Sequence, residues 1–149
     1  MDRESSAESW DDVVPDLASA LQSAFKECVA LARDAVYVEM WPDTGRFICY
    51  PAASPAGKEL AERDTEFLVQ LSVPFWADAW LGISADSANA NDEYEQLKQQ
   101  ALKVLTVAYD ICDRRTAARN IVLYAFEFEG SEGVWVIPNG AHHENIRTV

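Results

Sequence analysis

The sequence contains few basic side chains and few histidines. Its 149 residues carry 12 Lys and Arg against 25 Asp and Glu, with two His, so the formal net charge at pH 7 is −13. Nucleic-acid binding relies on basic patches that release phosphate counterions, and anionic membranes repel an acidic chain. We therefore expect neither a nucleic acid nor a membrane among the partners.

Cysteine and long apolar runs are also scarce. Cys28, Cys49 and Cys112 are odd in number and widely spaced, which argues against a disulfide framework. The first residues lack the basic and apolar regions of a secretory signal, and no apolar run approaches the roughly 18 residues that span a bilayer. These features predict a cytoplasmic protein.

Common catalytic and cofactor motifs are absent. The sequence has no phosphate-binding loop, no dinucleotide-binding glycine pattern, no paired-histidine zinc helix and no nucleophile elbow. His142 and His143 are adjacent, and adjacent side chains diverge in helices and strands, so they do not easily share a metal ion. We expect no cofactor, no metal and no enzymatic activity.

Paired carboxylates leave one enzymatic alternative. Glu127 and Glu129 share a face at the end of a predicted strand. Two carboxylates in different environments can divide the acid and base roles of a small enzyme. In so acidic a chain such pairs also arise by composition alone, or they contact a basic partner.

The hydrophobic pattern predicts a single domain over residues 1–149, with loose tails at 1–12 and 139–149. Apolar residues recur at helical or at strand spacing in successive segments. The predicted order is helix 13–33, strands 35–41, 46–52 and 67–73, a helix from 91 or 92 to 116, and strands 121–128 and 134–137. The simplest packing is an α+β fold with two helices on one face of a mainly antiparallel five-stranded sheet, in the order α-β-β-β-α-β-β.

The segment 74–90 has no single period and contains the most unusual aromatic run. Trp76 and Trp80 are four residues apart, so one helical turn places both on one side. If they are exposed beside Asp78 and Asp86, they resemble an interface anchor, because tryptophan is enriched at binding hot spots. If they are buried, they close an open face or edge of the sheet.

A second aromatic face is predicted on the strand 35–41. Tyr37 and Trp41 alternate with Val36, Val38 and Met40, and therefore lie on the opposite side of the strand. This face is either an exposed aromatic surface or one covered by the loop that follows the first hairpin.

Two segments, DAVYVEMWPDTGRFICYPA and DICDRRTAARNIVLYAFEFEGSEGVWV, carry a resemblance to a known family. Their pattern resembles that of small acidic bacterial immunity proteins of the YezG-like kind, which contain a helix, a strand pair, a long helix and a closing hairpin. The resemblance covers about half of the chain and transfers no functional residue. It implies a non-enzymatic protein that binds and neutralises a toxin made by the same cell.

The order of elements also resembles that of type III secretion chaperones. Those proteins are acidic, similar in size, and commonly form dimers that hold an unfolded effector. The final helix of that family has no counterpart here, since the chain after Ile137 is short and polar. This departure makes the chaperone the second alternative.

The leading hypothesis is an immunity or antitoxin-type protein that binds a basic toxin domain directly. Acidic side chains speed the encounter with a basic partner, and buried aromatic contacts slow its release. The oligomeric state stays open between monomer and homodimer. The candidate partner-binding residues are Asp43, Glu62, Asp64, Glu66, Trp76, Asp78, Trp80 and Asp86.

Overall fold

Three helices and seven strands form within the part of the chain that the structure describes. The structure is a computed structural model and describes residues 2–55, 60–63, 65–112, 121–127 and 134–137, with the backbone of 141–143. The α+β class is confirmed. The elements are β1 Asp2–Glu4, α1 Trp10–Ala30, β2 Ala35–Trp41, β3 Arg46–Ala52, β4 Val69–Ser72, α2 Pro74–Leu81, α3 Ala90–Ile111, β5 Val122–Glu127, β6 Val134–Ile137 and β7 Ala141–His143.

The seven described strands form one mixed sheet in the order β1-β4-β3-β2-β5-β6-β7. β5 lies parallel to β2 and β1 lies parallel to β4, whereas the other four neighbouring pairs are antiparallel. A parallel neighbour requires a crossover connection, and α3 provides it between the first three-strand meander and β5. The prediction of five strands and two helices is therefore wrong in number, because β1, β7 and α2 are additional elements.

The N-terminal residues were expected to form a loose tail but contribute β1. This polar strand is held by contacts distant in sequence. The backbone N–H of Ser5 donates to the Ser72 carbonyl at 2.8 Å, and the Ser5 hydroxyl donates to Asp16 Oδ2 at 2.8 Å. The Arg3 guanidinium donates a hydrogen bond at 2.5 Å to the Oγ of Ser19, which lies on α1. The residues of β1 show no alternation of apolar and polar side chains, so the sequence pattern does not predict this strand.

The helix boundaries also differ from the predicted ones. Because α1 begins at Trp10, Pro15 lies inside the helix and not in its first turn. At this interior position the proline removes one helical hydrogen bond. The helix ends at Ala30, and Ala32 takes the left-handed conformation with φ 56°. At the end of α3, Cys112 is already extended, while 113–116 lie outside the described residues.

The C-terminal segment 139–149 was likewise expected to be a loose tail. Within it the backbone of β7 pairs antiparallel with β6, with His142 opposite Trp135. The tail prediction is therefore wrong for Ala141–His143, and the rest of that segment lies outside the described residues.

The helices cover one face of the sheet and bury the main core. Val36, Val38 and Met40 of β2 point into this core with the apolar sides of α1 and α3. Each of these three side chains is at most 1% exposed. Of the described helices, none is long and apolar enough to cross a bilayer. The prediction that helices pack on one face is confirmed, and α2 joins them through Trp76.

The opposite face of the sheet is aromatic and is covered by the segment between β3 and β4. Leu60 and Ala61 of this segment pack against Tyr37. The Tyr37 hydroxyl donates to the Ala53 carbonyl at 2.7 Å and accepts the Ala61 N–H at 3.0 Å. Tyr37 is 1% exposed, so the interpretation that the loop covers this aromatic face is confirmed.

Candidate functional site

Trp76 fixes α2 to the body of the protein. Its side chain is 1% exposed, and its ring centroid lies 4.7 Å from that of Phe47 on β3 and 5.5 Å from that of Trp10 on α1. The interpretation of this residue as part of the core is confirmed. Trp76 therefore orients the helix and offers no surface to a partner.

The β2–β3 turn fixes the start of the same helix. Gly45 has φ +64°, and a Cβ there would lie 2.4 Å from the Val73 carbonyl oxygen and 2.8 Å from the Ala77 nitrogen. The Val73 N–H also donates to the Gly45 carbonyl at 2.6 Å. Only glycine permits this close approach. The exposed carboxylate of Asp43 lies on this turn, and is thus held on the side of the molecule where α2 begins.

The outer side of α2 presents a large apolar side chain. Leu81 is 71% exposed. Asp78, three residues earlier in the helix, is exposed on the same side. Trp80 is half-buried, and its ring centroid lies 4.3 Å from that of Tyr94 on α3. The Trp80 and Tyr94 rings therefore pack together where α2 approaches α3, and the exposed Leu81 follows Trp80 at the end of α2.

The part of the chain from 74 to 97, which carries these apolar groups, is strongly acidic. It includes no Lys or Arg, and all of its carboxylates are on exposed residues. Asp86 belongs to the connection 82–89 between the two helices, and the others lie on the helices themselves. We call this region the α2–α3 surface: Asp78, Trp80, Leu81, Asp86, Asp92, Glu93, Tyr94 and Glu95.

A half-open pocket lies against this surface and contains a buried lysine. It has a volume of about 440 Å³ and joins α2, α3 and the end of β5. Lys98 is 7% exposed, its Nζ lies 2.7 Å from Glu95 Oε2, and it lies 5.3 Å from the ring centroid of Trp135. Of the residues that the structure describes, those that line this Lys98 pocket are Trp80, Asn91, Tyr94, Glu95, Lys98 and Glu127.

The structure does not bring all the predicted partner-binding residues together. Asp78, Trp80 and Asp86 belong to the α2–α3 surface, and Asp43 lies near the start of α2. Glu62 and Glu66 are exposed in the segment that covers the aromatic face, on the other side of the sheet. Asp64 lies outside the described residues.

Sequence reasoning missed Leu81, Tyr94 and Lys98 as site residues. A signal for Lys98 was present, because it lies four residues after Tyr94 and three before Ala101 on the buried stripe of α3. A charged residue on such a stripe requires a partner. Glu127 was considered only as a catalytic carboxylate with Glu129, which lies outside the described residues, so that pairing stays a prediction.

The buried side chains of Cys28, Cys49 and Tyr50 have raised pKa values. Burial raises the pKa of the Cys28 thiol to about 11 and that of Cys49 to about 12. Burial, and then the neighbouring Glu39 carboxylate, raise the pKa of Tyr50 above its usual value. These groups stay protonated at neutral pH, and so they supply no nucleophile. Among the described residues, no group of three or more His, Cys, Asp or Glu could hold a metal ion.

Comparison with profiles of known protein families, with curated proteins and with solved structures finds no match to this chain. The resemblance to YezG-like immunity proteins and to secretion chaperones therefore stays a prediction that the sequence pattern alone carries.

Proposed function

We propose that this protein acts by binding another protein, and that the partner is a basic toxin domain which it neutralises as an immunity or antitoxin-type protein in the cytoplasm. The observation that carries the proposal is the α2–α3 surface, where an exposed leucine and two aromatic rings lie among carboxylates with no basic residue between 74 and 97.

The charge of this surface favours a cationic partner. The protein as a whole carries a net charge of −13, and its field attracts a basic domain before contact. Such steering raises association rates by about 10- to 1000-fold, in a manner that salt suppresses. Like charge at the same time disfavours acidic proteins and nucleic acids.

The apolar part of the surface provides a suitable centre for an interface. Binding energy concentrates in a few large side chains that become fully dry, surrounded by polar contacts that exclude water. Leu81 is 71% exposed in the isolated chain, and a partner that covers it removes apolar area from water. The Trp80–Tyr94 pair is packed before binding, so little side-chain entropy is lost when a partner covers it.

The experiment introduces the photo-crosslinking residue p-benzoylphenylalanine at Leu81 in the full chain, expressed in its native host. The matched control places the same residue at Leu31, which is 43% exposed beyond the end of α1. We expect one dominant product from Leu81 only, with a basic domain whose toxicity is relieved when this protein is co-expressed. Equal products from both positions, an acidic captured protein, or undiminished toxicity would contradict the proposal.

A secretion chaperone that acts as a homodimer is the second candidate, and one observation favours it. Val107 and Ile111 lie four residues apart on α3 and are 42% and 57% exposed, so they form an apolar strip on one side of the helix. A homodimer would bury this strip. Light scattering decides the question: a monomer at all accessible concentrations excludes the chaperone, whereas a dimer that Ile111→Glu dissociates supports it.

A further inference from the structure

We propose that the Lys98 pocket receives an arginine side chain of the basic partner, with the guanidinium held by the Glu95 and Glu127 carboxylates against the rings of Trp80 and Tyr94. The inference rests on the proposed function for the identity of the partner. The pocket chemistry itself is a property of this chain.

The shape and lining of the pocket suit a long side chain with a planar head. The volume of about 440 Å³ is half-open to solvent, and residues of α2, α3 and β5 line it. The ring planes of Trp80 and Tyr94 make an angle of 46° with centroids 4.3 Å apart. Aromatic faces attract cations that approach within about 6 Å of the ring centroid.

The charge of the pocket favours a cation. Among the lining residues that the structure describes, two carry a carboxylate and one carries an ammonium group, so acidic groups outnumber basic ones in this part of the lining. The Lys98 ammonium is 2.7 Å from Glu95 Oε2, so its positive charge is paired with a carboxylate that also lines the pocket. Glu95 Oε1 accepts a hydrogen bond from the Gln99 amide at 2.9 Å, and an ionised carboxylate offers about four acceptor positions in all.

Arginine suits this lining better than lysine. Its guanidinium is planar, stacks on aromatic rings and donates five N–H bonds in a fixed fork, whereas the lysine ammonium is a compact and strongly hydrated charge. Glu127, the Asn91 amide and Glu95 provide acceptors from β5 and α3, and a fork can contact two of them at once. An anion in this pocket would meet two carboxylates of the same lining.

The test titrates the full protein with Nα-acetyl-L-arginine N-methylamide and follows the indole N–H of Trp80 by NMR. The corresponding lysine and citrulline amides, and inorganic phosphate, are the comparison probes. Citrulline has the shape of arginine without its charge. We expect an arginine dissociation constant on the order of 1 mM. The citrulline amide should bind more weakly than the arginine amide by about tenfold at least, and phosphate should not bind.

The variant Glu127→Gln keeps the shape of the pocket and removes one carboxylate. We expect it to weaken arginine binding by about tenfold, because hydrogen bonds between charged groups are the stronger ones. Asp110→Asn is the matched control, since Asp110 is exposed near the end of α3 and does not line the pocket. Equal binding of arginine and citrulline, phosphate binding in place of arginine, or equal loss in both variants would overturn the inference. If Glu127→Gln destabilises the fold, the titrations of the wild-type protein with the four probes still test the inference.

The two proposals fail in distinguishable ways. A basic partner captured at Leu81 together with no response to the arginine amide overturns the pocket assignment alone. Binding of the arginine amide at Trp80 without any basic partner at Leu81 leaves the pocket chemistry in place and overturns the proposed function.

Discussion

The substitution Gly45→Ala tests how the β2–β3 turn positions α2. The new Cβ would lie 2.4 Å from the Val73 carbonyl oxygen and 2.8 Å from the Ala77 nitrogen, both backbone atoms that cannot rotate away. A left-handed conformation costs an L-residue about 1–2 kcal/mol, and relief of the overlap adds about 1–3 kcal/mol. We therefore expect the free energy of unfolding to fall by about 2–5 kcal/mol.

Urea unfolding followed by tryptophan fluorescence and circular dichroism measures this loss. Gly82→Ala, at the other end of α2, is the matched control. Gly82 has no positive φ, and its added Cβ would meet only the Asp78 and Ala79 carbonyl oxygens, at 3.2 and 3.6 Å, so we expect a change within about 1 kcal/mol. An unchanged midpoint and slope for Gly45→Ala would refute the reasoning that this turn clamps the helix.

Three further predictions concern the buried polar groups and the exposed leucine. Because burial raises the pKa of Cys28 to about 11 and that of Cys49 to about 12, the native state retains these protons longer than the unfolded chain. Their stabilising contribution is complete below about pH 9 and is lost as pH rises through 11 to 12, with a slope of about 1.4 kcal/mol per pH unit for each thiol. When the free energy of unfolding is measured by urea unfolding between pH 8 and 11, it should fall less steeply with pH in Cys49→Ala than in the wild type. An equal dependence on pH would contradict the raised pKa of Cys49. Tyr37→Phe removes both hydrogen bonds to the covering segment and should cost about 1–3 kcal/mol; hydrogen exchange at the Ala61 amide should accelerate, and unchanged protection there would count against it. Leu81→Ser should leave the free energy of unfolding within about 0.5 kcal/mol, because the side chain is 71% exposed, yet weaken binding of the captured partner by about tenfold in calorimetry; unchanged affinity would remove Leu81 from the interface.

The core elements follow from the sequence because each has its own period. The apolar stripes of α1 and α3 and the alternation of β2 and β3 appear in the residue order, and the glycine of the β2–β3 turn is required by its backbone conformation. β5 is apolar on both faces for most of its length, as is typical of an interior strand, and it lies between β2 and β6 in the sheet. These features are local, and local patterns suffice to predict them.

The elements that were missed depend on contacts distant in sequence. β1 is a polar tripeptide that becomes a strand because β4 and α1 supply its hydrogen-bond partners. α2 has eight residues, too few to establish a clear period, and forms where Pro74 starts it and Trp76 enters the core. Periodicity over a short segment cannot show that Trp76 is buried while Trp80 packs on Tyr94.

The candidate site was predictable in composition but not in arrangement. Asp78, Trp80 and Asp86 are close in sequence and belong to α2 or to the connection that follows it. Glu62 has the same charge but is carried to the other side of the sheet by the segment that covers Tyr37. The Lys98 pocket forms only because the parallel return of β5 brings Glu127 beside α3. The set of residues that line this pocket depends on the order of strands in the sheet, which the hydrophobic pattern of the sequence does not predict.

The most direct test of the central claim is the association rate constant with the captured basic domain, measured by stopped flow from low to high ionic strength. We expect the wild-type rate to fall steeply with salt, and Asp78→Asn/Asp86→Asn to be about two- to tenfold slower at low salt only. Glu4→Gln/Asp110→Asn removes the same charge from exposed positions outside the α2–α3 surface and should change the rate far less. A rate that is independent of salt, or an equal loss in both double variants, would contradict binding through this surface.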